Sequence, residues 1–144
     1  MSSSLHKRAA AVLAATGLMM GAAVTAGAST ASAAVPTGVE FRATDMQSDG
    51  SRSVLVIDNG RAVGAAHWHA DGDYLEVVDT HADGFGVAGY LSTSPIREAS
   101  TYGHSSPYTV TKGGNLTEDK RYKFWVCFGG SAGQLCSPQY NVTS

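Results

Sequence analysis

The chain has 144 residues, of which 43% fall in the hydrophobic set and 15% are charged, with 17 Gly, two Cys and a formal net charge of −2. At about 100–200 residues per domain, this length holds one domain. That size excludes multi-domain enzymes, doubly wound nucleotide folds and barrels of alternating helix and strand, and the near-neutral charge leaves no basic footprint for nucleic acid.

The first element is a leader. His6, Lys7 and Arg8 precede an uncharged run that lasts until Glu40, and Ala9 to Ala33 is almost wholly Ala, Val, Leu, Met and Gly. A positive start, an apolar middle and the small-x-small end Ala31-Ser32-Ala33 predict a secretory signal peptide over 1–33. A membrane anchor is disfavoured because Ser and Thr interrupt the second half of the run and a cleavage motif ends it. The mature protein, 34–144, is therefore expected to work outside the cell, with no membrane partner after cleavage. Without Lys7 and Arg8, eight basic residues face twelve acidic ones, a net charge of −4.

The mature region reads as strands and turns. Val39, Phe41 and Ala43 alternate with polar neighbours, as a half-buried strand requires. Ser53 to Asp58 is a short apolar run followed by Asn59-Gly60, the strongest local hairpin signal because both central turn residues need positive φ. Arg61 to Ala70 returns, and Asp71-Gly72 repeats the signal before Asp73 to Thr80. Phe85 to Thr93 follows Asp83-Gly84, and Tyr108 to Lys112 precedes Gly113-Gly114. Arg121 to Phe128 places Tyr122, Phe124, Val126 and Phe128 on one side. Leu135 to Val142 closes the chain, at a sheet edge because of Pro138. About eight short strands at this spacing predict an all-β fold, a small antiparallel β-sandwich or barrel. In an oxidising compartment Cys127 and Cys136 read as one disulfide closing a hairpin.

Hairpin register assigns the faces. The Asp71-Gly72 turn sets Trp68 opposite Leu75 and His67 opposite Glu76, while Asn59-Gly60 sets Asp58 opposite Arg61 and Ile57 opposite Ala62. Side chains alternate along a strand, so Leu55, Ile57, Ala66, Trp68, Leu75 and Val77 are expected in the core. Val54, Val56, Val63, His67, His69, Tyr74 and Glu76 would share the other face.

Candidate chemistry is sparse. Gly129-Gly130-Ser131-Ala132-Gly133 matches G-x-S-x-G, but a nucleophile elbow needs a strand-to-helix turn with an acid and a His following it. No Asp, Glu or His occurs after Ser131, so the match reads as a glycine-rich turn. His67, His69 and Glu76 could ligate zinc or copper, since imidazole and carboxylate suit both. Their spacing matches no ligand motif, and a solvated His–Glu face is the preferred reading. Asp79 and Asp83 could supply two oxygens to calcium, but Asp and Gly are also ordinary turn residues. No cofactor is expected. Asn115-Leu116-Thr117 and Asn141-Val142-Thr143 have the form of glycosylation sequons, which carry no meaning in a bacterial protein. Trp125 alternates away from the apolar row of its strand. It either packs over the disulfide or under a loop, which is favoured, or stacks on sugar rings or a partner protein.

Gly72-Asp73 through Val77 and Asp79, then Ala82-Asp83-Gly84 and the Val126-Cys127…Cys136 hairpin, resemble a pattern in small exported actinobacterial proteins. The resemblance implies a secreted β-domain from a Streptomyces-like source and transfers no functional residues. Three function classes follow. The expected one is a non-catalytic extracellular or cell-surface domain that binds a protein or a glycan. The alternatives are a secreted enzyme inhibitor presenting the Cys127–Cys136 loop and a small secreted hydrolase.

Overall fold

The computed structural model describes residues 34–144, so the expected leader lies outside the described residues. The described region is all-β, in two antiparallel sheets. Sheet A contains β1 (Val39–Ala43), β2 (Arg52–Asp58), β3 (Arg61–His69), β4 (Tyr74–Asp79) and β7 (Tyr108–Lys112), in the spatial order β1-β2-β3-β4-β7. Sheet B has the order β10-β8-β5-β6, from β5 (Gly86–Leu91), β6 (Arg97–Ser100), β8 (Arg121–Gly130) and β10 (Tyr140–Thr143). The short β9 (Gly133–Cys136) also pairs with β8. Among the described residues the two sheets form a sandwich, and no barrel closes.

The Asn-Gly hairpin forms as its chemistry requires, with φ of 48° at Asn59 and 81° at Gly60. Asp58 pairs with Arg61 and Ile57 with Ala62. Beyond that point the expected faces are wrong for β2. The register shifts, so Val56 pairs with Gly64 and Val54 with Ala66. The extra residue, Val63, is a β-bulge, and a bulge inverts which side chains of the partner strand share a face. Val54, Val56 and Val63 therefore enter the core, while Leu55 is 38% exposed. Ile57 is buried but stands apart from the main core cluster. On the other side of β3, Trp68 opposes Leu75 and His67 opposes Glu76 as expected. The turn there uses positive φ at Gly72 and Asp73 and is closed by the Asp73 N–H donating to the Ala70 carbonyl at 3.2 Å.

The described residues form ten strands where about eight were expected. Arg97–Ser100 has no apolar alternation to announce it; its one core residue is Ala99. The terminal segment divides at Ser137–Gln139 into β9 and β10, where Pro138 cannot donate to a ladder. Sheet A contributes Val54, Val56, Val63, Ala66, Trp68, Leu75 and Val77 to the core, and sheet B contributes Val87, Leu91, Phe124, Val126, Phe128 and Val142. The alternation of β8 is as read, with Phe124, Val126 and Phe128 at 0% exposure. The Trp68 indole N–H donates to the Thr143 carbonyl at 2.9 Å, tying the centre of sheet A to the last strand of sheet B.

Cys127 and Cys136 are bonded and face one another across the β8–β9 ladder. Phe128–Leu135, Gly129–Gln134 and Gly130–Gly133 are ladder pairs, so only Ser131 and Ala132 form the tip.

Candidate functional site

Strand alternation puts Trp125, Lys123 and Cys127 of β8 on the outer face of sheet B, opposite the core row. The antiparallel register then sets Tyr90 of β5 directly across from Trp125 and Glu98 of β6 across from Tyr90. The Tyr90 and Trp125 rings stack, with centroids 5.3 Å apart and planes 12° from parallel. Both residues are half-buried, each ring turning one face to the other. Trp125 thus packs against the Tyr90 ring while sharing its face with Cys127 of the disulfide, two residues on.

Tyr102, in the β6–β7 loop, extends this face toward the end of the sandwich. Its ring lies across Gly86, where a Cβ would collide with the tyrosine ring. Its hydroxyl donates to Gln134 Oε1 at 2.8 Å, fixing the ring against β9. Burial pushes the Tyr102 phenol up, helped by Tyr90 and Glu98. Burial also raises Tyr90, with Glu98 acting in the same direction and Gln134 pulling partly back. Both phenols therefore stay neutral hydroxyls across the physiological range. Glu98 lies beside Tyr90, Lys123 is bonded to Asn141 Oδ1 at 2.7 Å, and exposed Arg121 follows on the same side of β8. The face is aromatic and edged with amide, carboxylate, ammonium and guanidinium groups.

Beyond Tyr102 a cleft of about 620 Å³ opens between the β4–β5 loop, the β6–β7 loop and the β8–β9 tip. Phe85 meets core Phe128 edge-on at 5.3 Å, and His104 stacks on Tyr108 at 4.0 Å. The remaining lining is mostly glycine and serine, with no Asp, Glu, Lys or Arg.

The other sequence-derived candidates are placed elsewhere. His67, His69 and Glu76 lie on the outer face of sheet A, but they do not converge. His67 Nδ1 lies 2.8 Å from Ser53 Oγ, and His69 stacks on Tyr74 at 4.3 Å. Among the described residues no three His, Cys, Asp or Glu side chains form a metal-holding group. Asp79 is 1% exposed and accepts from the His81 N–H at 3.1 Å and Ser106 Oγ at 2.6 Å. Asp83 accepts from the Phe85 N–H at 2.8 Å. Both carboxylates cap backbone turns, the ordinary use of Asp in such loops.

His67 has a pH signature. Burial holds its imidazole below the ordinary value of 6.5, with Glu76 pulling up and His69 pushing down. A folded-state value below the unfolded one means that the unfolded chain binds the proton more readily on acidification. His67 therefore supports the fold above about pH 6.5, and that support is lost as the pH falls through the lower, folded value. Urea midpoints at pH 7 and pH 5 should differ less in His67→Gln than in the parent; an unchanged difference would contradict this.

No protein-family model matches the chain, and comparison with curated proteins and with solved structures finds no match. Among the described residues no helix is long and apolar enough to cross a membrane. Sequence reasoning found Trp125 but missed Tyr90, Tyr102 and Gln134. Tyr90 becomes visible only once β5 is known to pair with β8, and Tyr102 reaches the site from a loop.

Proposed function

We propose that the protein is a non-catalytic extracellular domain that binds a neutral glycan on the outer face of sheet B. The stacked Tyr90–Trp125 pair carries this reading, because half-exposed rings offer an apolar face to a sugar ring without a buried polar cost. Gln134, Asn141 and Glu98 supply the hydrogen-bonding groups that sugar hydroxyls need. A protein partner of ordinary affinity would call for about 800 Å² of complementary surface per side, and this patch is a short aromatic row with a polar border. The inhibitor reading retains only the two-residue tip Ser131-Ala132 to present to an enzyme.

The test is retention of the purified protein on cellulose, starch, β-1,3-glucan, xylan and chitin. Binding to at least one of them is expected, weakened about tenfold or more in Trp125→Ala, a loss of ~1.4 kcal/mol or more. The melting temperature of that variant should move little, since the ring lies outside the core. Retention on none of the five, or equal retention of the variant, would overturn the reading.

A further inference from the structure

The cleft beyond Tyr102 meets the aromatic face at that residue. Tyr102 belongs to both: its ring lines the cleft, and its hydroxyl donates to Gln134 on β9. A volume of about 620 Å³ falls within the roughly 300–1,000 Å³ of small-ligand sites. Its lining holds no carboxylate, ammonium or guanidinium, and its one imidazole, His104, is stacked on Tyr108, so an uncharged group suits it best. Phe85 and Tyr102 supply ring surface, while Ser105 and Ser131 supply hydroxyls. The surrounding loops lie at the end of the sandwich, where the β-sheet face stops.

We infer that this cleft takes the terminal residues of a neutral glycan whose following residues cross Tyr102, Tyr90 and Trp125, which makes the protein a reader of chain ends. The inference rests on the glycan reading of the outer face and specifies how the polymer lies on it. The aromatic row grips several residues without regard to position in the chain. The cleft adds the requirement for an end, because a terminal residue enters it without a continuing chain having to leave past the loops.

The experiment uses two preparations of a retained polysaccharide, equal in mass but different in mean chain length. Saturation is measured for the parent, Trp125→Ala, and two cleft-filling variants at exposed positions, Ala82→Trp and Ser105→Trp. Melting curves confirm that each variant is folded, and two independent fillers guard against a failure of either one. Saturation is expected to follow the number of chain ends, with both fillers and Trp125→Ala weakening binding about tenfold or more. If saturation follows mass and neither filler has an effect while Trp125→Ala still abolishes binding, the outer-face reading stands and end recognition is overturned. If no preparation binds the parent, both are overturned together.

Discussion

Trp68→Ala is expected to destabilise the protein by about 3–5 kcal/mol, the range for truncating a large buried aromatic. Trp68 is the largest fully buried side chain, at 1% exposure, and sits at the centre of sheet A facing sheet B. Two losses combine in this variant. The indole leaves a void between the sheets, and the Thr143 carbonyl loses the donor that holds β10 against sheet A. Against a typical domain stability of ~5–15 kcal/mol, such a change removes a large share of the total. Trp68→Phe separates the two losses, because phenylalanine refills most of the void but cannot donate. It should cost less, about 1–3 kcal/mol for the unpaired acceptor and residual void. Urea unfolding should show a lowered midpoint in both variants, Ala well below Phe, with an unchanged slope. Equal midpoints for the two would show that the hydrogen bond, and not the packing, dominates.

Removing the disulfide should have the next largest effect. Eight residues lie between Cys127 and Cys136, and closing so short a loop stabilises by about 2–3 kcal/mol in the loop-entropy model. The double replacement by Ala is the informative variant, because Cys127 is 1% exposed and a Ser hydroxyl would be buried there without a designed partner. The hairpin itself should survive. The Ser137 N–H donates to the Val126 carbonyl at 2.8 Å, and the Val126 N–H donates to Ser137 Oγ at 3.0 Å, so β8 remains pinned just past the staple. A reducing agent added to the parent should reproduce the midpoint of the double variant. A loss well beyond ~5 kcal/mol, or an unfolded reduced protein, would mean that the bond substitutes for the core.

The fold was legible to the extent that its information is local. Asn59-Gly60 and Asp71-Gly72 announce turns because few residues tolerate positive φ, and the alternation of β8 survives as an unbroken row from Tyr122 to Phe128. The faces of β2 were illegible because one extra residue at Val63 inverts them. Beside the bulge the strands come close, since a Cβ at Gly64 would stand 2.5 Å from the Val78 carbonyl on the next strand, and such a contact is invisible in the local sequence. Arg97–Ser100 was missed because three of its four residues are polar, and strand pairing with β5 makes it a strand. The candidate site divides in the same way. Trp125 stands out by alternation within its own strand, whereas Tyr90 and Gln134 come from other strands that pair with β8. His67 and Glu76 were correctly set opposite one another, but adjacency on a flat ladder aims side chains outward in parallel, and a metal site needs them to converge.

The glycan platform is tested most directly by titrating the purified protein with soluble oligosaccharides of the polysaccharide that retains it, while following the two indole N–H resonances. Trp68 serves as an internal control because its indole is buried and bonded to Thr143. The Trp125 indole should shift saturably, together with the amides of Tyr90, Tyr102 and Gln134, while the Trp68 indole stays in place. Shifts confined to the His67–Glu76 face of sheet A, or a Trp125 indole that does not move at saturating oligosaccharide, would contradict the assignment of glycan binding to sheet B.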